Sequence, residues 1–468
     1  MTQQEALDIL KLGHNVFLTG PAGSGKTYVL NQYIQYLHSH KIPVGITAST
    51  GIAATHIGGT TIHSWSGMGI KDSMADHEIA ELFKKSYLNK RFKNTRILII
   101  DEISMLHSHL LELVHKICQA FKKNSFPFGG MQIIMCGDFF QLPPVQRRER
   151  FALKNGIDSG QARMTPLWDD SATQGLKLDS ENFVYTSSIW QEMNLKICYL
   201  DEQFRQSDRA FLRVLNDIRN NEVSEMTVEY LSERLNKDTN GYVNPTRLFT
   251  HNTDVDAINK RHLEELTEEP HEFIMSRRGS LGLSELLKKS CMAPEILVLK
   301  KGARVMFVKN NYEVGYVNGT LGEVLGFDKE DHPIVRTFDG SEITVSQASW
   351  EVKEENREIA AISQFPLRLA WAITVHKSQG MSLDAAEIDL SRSFVPGMGY
   401  VALSRVRSLS GLKLMGMNQM ALQINPAVAK VDREFIRQSH EATILLQAMN
   451  QEKKHQMQGN FLEYLKVQ

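Results

Sequence analysis

Eight residues near the start of the chain, Gly20-Pro21-Ala22-Gly23-Ser24-Gly25-Lys26-Thr27, constrain what it can fold into more than any other feature. They follow the β-rich run at 15–19 (NVFLT) and precede a helical pattern at 28–38. Gly20, Gly23 and Gly25 let backbone N–H groups turn inward, and the following helix adds the positive end of its dipole. Strand, glycine loop and helix in that order specify a parallel sheet covered by helices, with the loop as a phosphate cradle. In that setting Lys26 is expected to reach the β- and γ-phosphates of ATP and Thr27 to ligate Mg²⁺.

The rest of the first half agrees with such a sheet. Residues 43–48 (PVGITA), 97–100 (ILII) and 132–136 (QIIMC) read as buried strands, and 106–121 as a helix. That helix carries Leu110, Val114, Ile117, Cys118 and Phe121 on one stripe at helical spacing, which is core and not chemistry. From 147 to 181 the pattern dissolves into a polar stretch that reads as a surface insertion or linker. A second alternating region then begins, with a helix at 208–220, a strand at 247–250 and a helix at 255–266.

Between 302 and 352 the character changes to short β runs separated by Gly, Asn and Asp turns, as expected of a small all-β barrel. The α/β pattern resumes at 367–374, 386–390 and 412–415. The predicted division is 1–182 for a first α/β domain, with an excursion at 69–96. A second domain comprises 183–300 and 354–425, interrupted by the barrel at 301–353, and 426–468 form a helical tail. A chain of 468 residues suits about three domains.

Two acids and an amide complete the loop. Asp101-Glu102 closes the strand ILII, where the carboxyl end of a buried strand faces the ligand crevice of an open α/β sheet. Asp101 is expected to hold Mg²⁺, and Glu102 to orient and deprotonate the attacking water. Gln141 follows the strand QIIMC, where its amide can sense the γ-phosphate; an ordinary turn before Pro143 and Pro144 is the alternative. Hydrolysis also needs a cation against the γ-phosphoryl charge. Arg205 (QFRQ) and Arg405 (LSR) are the candidates from the second domain, and spacing alone does not separate either from a surface arginine.

Composition sets limits. With 53 Lys and Arg against 54 Asp and Glu, the net charge of −1 provides no general attraction for nucleic acid. A local basic run exists at 84–96, where Lys84, Lys85, Lys90, Arg91, Lys93 and Arg96 occur without an acid. Cys118, Cys136, Cys198 and Cys291 stand far apart, which argues against a zinc site or a disulfide framework and fits a reducing compartment. No apolar run approaches a membrane span and no signal-peptide core is present, so a cytoplasmic location is expected and no membrane partner.

Eight motifs then occur in one order: GPAGSGKT, TASTGIAA, TIHSW, LIIDEISML, GDFFQLPPV, EQFRQSD, LAWAITVHKSQGMSLD and GYVALSRVRSLSGL. Together they resemble the Pif family of superfamily-one helicases, relatives of the RecD-like group, over roughly residues 2–425. The resemblance implies two RecA-like P-loop NTPase domains, a barrel of the Src-homology-three type, and an ATP-dependent DNA helicase that moves 5′ to 3′ on single-stranded DNA. Gln3 would read the adenine, with Gln4 as the alternative, and Gln379 and Gly380 would lie near the nucleotide. Thr47, Thr50, Thr61, His63, Thr374 and His376 would touch the strand without reading bases.

The implied partners are single-stranded DNA and forked or tailed duplexes, with G-quadruplex DNA as a family substrate and a monomer as the acting form. The excursion at 69–96 would serve as a wedge. The stretch at 147–181 looks longer than the family's usual link, and the missing N-terminal extension favours a bacterial or phage-like, nucleoid-associated enzyme. An RNA-directed helicase and an ATP-switched single-strand clamp are the competing functions.

Overall fold

The computed structural model describes residues 1–144 and 183–467, apart from Ile70, Ser207, 240–244, His251, Tyr312, Val317, Asp339 and 355–356. The predicted insertion at 147–181 lies outside the described residues. The chain divides into two compact units, and the first contains the glycine loop, the segment up to Arg205 and the C-terminal residues from Ile424.

The first unit opens with α1 (Gln3–Lys11), whose start is set by a capping box in which Thr2 and Glu5 satisfy each other's exposed backbone donors. It continues through β1 (Val16–Thr19), α2 (Lys26–Ser39), β2 (Val44–Ala48), α3 (Gly51–His56), β3 (Thr60–Thr61) and α4 (Ile62–Ser66). Next come α5 (Asp76–Leu82), α6 (Ser86–Asn94), β4 (Ile97–Asp101), α7 (Ser108–Lys122), β5 (Gln132–Cys136), α8 (Ser188–Glu192) and β6 (Lys196–Tyr199). The six strands form one parallel sheet in the order β3-β2-β4-β5-β1-β6. Strands β1, β4 and β5 are buried along their whole length, as their unbroken apolar runs require in a sheet covered on both faces.

The predicted strands and helices of this half are all present within a few residues. Leu110, Val114, Ile117 and Cys118 are buried on α7 as their spacing foretells. The basic excursion forms α5 and α6. Leu88 and Phe92 anchor α6, Phe92 against Trp65 at 4.8 Å and Phe121 at 4.2 Å between ring centroids. Arg91 turns inward and donates to the Ser64 and Trp65 carbonyls, while Lys84, Lys85, Lys90 and Lys93 are exposed.

The second unit begins with α9 (Arg209–Asn220) and α10 (Glu225–Ser232), then β7 (Thr246–Phe249) and α11 (Asn252–Glu265). An all-β region follows: β8 (His271–Ile274), β9 (Ser276–Gly279), α12 (Leu281–Ser290), β10 (Ile296–Leu299), β11 (Arg304–Phe307), β12 (Leu321–Phe327), β13 (Pro333–Thr337), β14 (Glu342–Thr344), β15 (Ala348–Glu354), β16 (Arg357–Gln364) and β17 (Leu367–Leu369). The unit then returns to α/β with β18 (Ala372–Thr374), β19 (Ala386–Leu390), α13 (Met398–Leu403) and β20 (Leu412–Met417). Its parallel sheet runs β18-β7-β19-β20.

The all-β region reaches beyond the expected 301–353. Its five-stranded sheet, β14-β13-β12-β11-β17, takes in Leu367–Leu369, and β15 lies instead in a separate antiparallel sheet in the order β15-β16-β9. Its core draws Phe273, Leu297 and Leu299 from before that range and Phe365 and Leu367 from after it. The run at 367–374, read as one strand of the α/β sheet, is therefore two: a barrel strand and, past Ala370, the parallel strand β18. The run LRLAWAIT, apolar but for Arg368 and Thr374, conceals this break, because two three-residue strands are too short to show an alternation.

The chain ends in α14 (Pro426–Gln447) and α15 (Gln451–Val467), which belong to the first unit rather than forming a separate tail. Ala442, Leu446 and Leu465 join the core formed by β1, α1 and α2. Phe435 packs on Phe17 of β1 at 5.2 Å, and Ser439 Oγ accepts from the Tyr199 N–H at 3.0 Å. Among the described residues no helix is long and apolar enough to cross a membrane.

Candidate functional site

Three neighbouring strands, β4, β5 and β1, carry the predicted chemistry at their carboxyl ends. The loop leaves β1, Asp101 closes β4, and the segment 137–141 leaves β5, with the Gly137 N–H donating to Leu18 O at 3.1 Å. Sheet order thus gathers residues separated by over a hundred positions.

Within the loop Gly25 has φ 85°, and a Cβ there would stand 2.0 Å from Gln3 Nε2. The left-handed backbone favours glycine, and a side chain there would also displace the Gln3 amide. Gly25 also caps α2 with no side-chain hydrogen bond, so the first turn of that 14-residue helix offers its N–H groups to an anion. Pro21, Ala22 and Ser24 are buried around it and Gly20 and Gly23 have positive φ, which completes an inward-facing turn. Ser24 Oγ is buried with no hydrogen-bond partner, a donor left unanswered within the loop. Lys26 Nζ donates to the carbonyls of Gly20 at 2.9 Å and Pro21 at 3.0 Å, folded over its own loop. Thr27 is exposed in the first turn of α2.

Burial pushes the Asp101 carboxyl above the ordinary carboxylate range, while the Cys136 thiol, the Glu102 N–H at 2.9 Å and the charge of Lys26 pull the other way. Together with the Thr27 hydroxyl it offers the hard oxygen donors that Mg²⁺ prefers. Glu102 sits at φ 51°, ψ 45°, a left-handed conformation that costs a non-glycine residue about 1–3 kcal/mol. Its carbonyl is held by Ser49 Oγ at 2.6 Å and by the Met105 N–H at 3.2 Å. Gln141 is 6% exposed; its N–H closes a turn on Asp138 O at 3.0 Å and its amide nitrogen lies 3.4 Å from Asp138 Oδ2, so the turn carries a packed, oriented amide.

Gln3 and Gln4, the two residues predicted to meet the adenine, differ in placement. Gln3 Nε2 donates to Ser24 O at 3.2 Å, whereas Gln4 is exposed and bonds Asp8 along the helix. One aromatic residue escaped the sequence reading. Phe204 is 62% exposed, its N–H donates to Gly23 O at 2.9 Å, and its ring lies 3.8 Å from where a Gly25 Cβ would be. A bare aromatic face beside the loop and Gln3 suits stacking of a base. Its signal was in plain sight as an apolar residue inside the polar run EQFRQSD.

Arg205 requires a correction. The sequence reading puts it in the second domain with Arg405, but β6 pairs in parallel with β1, and the chain stays in the first unit through Arg205. It therefore belongs to the loop's own unit. Arg405 lies in the second unit and is 1% exposed; its guanidinium donates to Val401 O at 2.8 Å, Ser404 Oγ at 2.8 Å and Met381 O at 3.5 Å. Gln206, another residue the sequence reading passed over, donates to the carbonyls on either side of it, Ser404 at 3.1 Å and Val406 at 3.2 Å. Gln379 is buried and Gly380 has φ 79°, directly before the Met381 carbonyl that meets Arg405.

The predicted strand contacts divide between the units. Thr50 and Thr61 cap α3 and α4 at the carboxyl ends of β2 and β3, accepting from Ala53 and Ser64 N–H groups at 3.2 Å, and both are partly exposed, as is His63. Thr47 does not belong with them. It is fully buried, and its hydroxyl donates to Ile99 O of the neighbouring strand at 2.6 Å. In the second unit Thr374 ends β18, buried, with its hydroxyl accepting the Lys377 N–H at 3.2 Å, and His376 is partly exposed.

A parallel sheet with a glycine phosphate loop, a buried aspartate and a strained glutamate at its carboxyl edge, joined to a second parallel sheet carrying a buried arginine, defines a nucleotide-hydrolysing P-loop motor. The family is equally definite. A model of the PIF1-like helicase matches residues 3–229, and one of the DNA helicase Pif1 2B domain matches 282–327. The ATP-dependent DNA helicase Pif1 of Psychrobacter is 42% identical over 94% of this chain and 72% of its own. Bacteroides Pif1 in complex with ADP-AlF4 superposes with a TM-score of 0.75 at 31% identity, covering 93% of this chain and 96% of that one. The same helicase with ADP-AlF3 and single-stranded DNA superposes with a TM-score of 0.60 at 30% identity, covering 93% and 96%. This chain belongs to the Pif1 family of ATP-dependent DNA helicases.

Proposed function

We propose that this helicase tracks single-stranded DNA in the 5′-to-3′ direction and separates tailed or forked duplexes ahead of it. The observation that carries the reading is the convergence of the loop, Asp101, Glu102 and Gln141 at the carboxyl ends of three adjacent strands, since a passive clamp needs no oriented base. Gln3 and Phe204 hold the adenine, the loop and Lys26 hold the phosphates, and Glu102 takes the proton of the attacking water. Thr27 and Asp101 would hold Mg²⁺, which would neutralise charge on the phosphates. Arg405 is the finger on the second unit, positioned by Gln206, and Arg205 is a phosphate contact of the first unit.

On the DNA side Thr50, Thr61 and His63 in one unit and Thr374 and His376 in the other hold the backbone, leaving bases unread so that any sequence can pass. The exposed lysines of α5 and α6 supply the local positive charge that the net charge does not. The enzyme acts as a monomer, at the nucleoid, and G-quadruplex DNA is among its substrates. Support for the polarity comes from the ordered motifs, and support for a single-stranded DNA partner comes also from the Bacteroides helicase solved with single-stranded DNA.

The decisive experiment is unwinding of duplexes carrying either a 5′ or a 3′ single-stranded tail, with a G-quadruplex substrate and sedimentation of the DNA complex alongside. Separation of the 5′-tailed duplex alone is the expected result. Opening of only the 3′-tailed duplex would reverse the polarity, and ATPase turnover indifferent to single strands would remove the motor.

A further inference from the structure

Beyond the threonine and histidine contacts, the second unit holds two cations that the mechanism leaves without a task. Arg368 lies in the middle of β17, opposite Met306 of β11. Its Nε is buried and has no hydrogen-bond partner. Lys377 lies one turn past β18. The Lys377 N–H donates to Thr374 Oγ1 at 3.2 Å and the Ser378 N–H to Thr374 O at 2.9 Å, so residues 374–378 curl tightly at the end of that edge strand. Asn259 pins the strand itself, bonding the Ala372 carbonyl at 2.8 Å and its N–H at 2.9 Å.

The two cations are near enough to disfavour each other. Burial lowers both pKa values, and the charge of Arg368 lowers that of Lys377 further. Asp256 on α11 is the acid that faces both, but it is exposed, and among the described residues neither cation forms an ion pair with it. A half-buried guanidinium with an unanswered donor, beside a second desolvated cation, is disfavoured unless an anion completes the group. Thr374 and His376 lie on the same turn as Lys377.

We propose that Arg368 and Lys377 form a phosphate clamp for the tracked strand, taking one backbone phosphodiester beside Thr374 and His376. The inference rests on the reading of the chain as a single-strand motor and adds a charged grip to contacts that are otherwise neutral or weakly charged. It also gives a use to the unfavourable placement: the clamp is strained when empty and relieved when filled, so the grip is tight only where a phosphate sits.

The test is oligothymidine binding measured across a salt series for the wild type, Arg368→Gln and Lys377→Met. Each lost phosphate contact should flatten the slope of log affinity against log salt by about 0.7. Both variants should show the flatter slope, with the ATP KM in the absence of DNA unchanged, which separates a phosphodiester clamp from a nucleotide or free-phosphate site. Lys377→Met should melt no lower than the wild type, because it removes one of two repelling charges. If Arg368→Gln proves poorly folded, Lys377→Met decides alone. A wild-type slope in Lys377→Met, or in a well-folded Arg368→Gln, overturns the clamp and leaves the helicase reading intact. A wild-type protein whose oligothymidine binding ignores salt would instead undermine the single-strand reading.

Discussion

The side-chain amide of Gln3 donates to the Ser24 carbonyl at 3.2 Å, and that same nitrogen occupies the space a Gly25 Cβ would need, 2.0 Å away. The first helix and the phosphate loop are thus locked across 21 residues by one side chain and one missing side chain. Gln3→Ala should raise the ATP KM and erode discrimination against GTP while leaving kcat near wild type, and Gln4→Ala should do neither. Steady-state ATPase assays with both nucleotides check this. Equal effects from the two variants would dissolve the assignment.

Hydrolysis and binding should separate by residue. Lys26→Ala is expected to abolish ATPase activity and unwinding together. Glu102→Gln should lower kcat by about 10²–10⁴ with nucleotide affinity retained, because it removes the base and not the cradle. Arg405→Ala should leave nucleotide binding largely intact and cut turnover by about 10³–10⁵, in the range of an arginine finger. Fluorescent-nucleotide titration beside turnover measurements distinguishes the three, and wild-type turnover in the arginine variant would remove it from that role.

The C-terminal helices should behave as core. Phe435 is 5% exposed and packs on Phe17, beneath the strand that feeds the loop. Phe435→Ala should destabilise the protein by about 3–5 kcal/mol. Phe461 over Gly13 makes the same connection for α15, since a Cβ on that glycine would lie 2.5 Å from the ring. Chemical denaturation is the measurement, and a loss below about 1 kcal/mol at Phe435 would mean that the tail is an appendage.

Acid should loosen the protein partly through His56, at the end of α3. Burial pushes its imidazole from the ordinary 6.5 down to about 4. The unfolded chain then binds a proton between those values that the folded chain refuses. The contribution of His56 is therefore complete above about pH 6.5 and declines as the pH falls towards about 4. Thermal melts should show a shallower decline over that window for His56→Gln than for the wild type.

Much of this molecule was legible before any coordinates. The strands at 97–101 and 132–136 announce themselves as unbroken apolar runs, and Gly20 to Thr27 can be placed between strand and helix by inspection. The DNA-facing residues were harder. Thr47, Thr50 and Thr61 look alike in sequence, yet Thr47 points into the sheet and bonds Ile99, while the other two cap helices at strand ends. Which face a threonine takes depends on strand register, and in VGITA the partly exposed positions, Val44 and Ile46, are themselves apolar, so the sequence carries no alternation to reveal it. The barrel boundary is hidden for a related reason: Leu367–Leu369 and Ala372–Thr374 lie in one largely apolar run although they pair in different sheets.

By itself the sequence determined the chemistry that depends on neighbours along the chain. The loop's glycines, Lys26, Thr27 and the acidic pair need only a strand before them and a helix or turn after them, and local propensity supplies both. Only the tertiary structure decided which distant residues join that chemistry. Pairing of β6 with β1 placed Arg205 and Phe204 with the loop, burial of Phe435 made the last two helices part of the nucleotide unit, and β18 as an edge strand put Lys377 within reach of Arg368's charge. Those outcomes follow from sheet order and from which apolar faces cover each other, and these are properties of the whole chain that no single segment encodes.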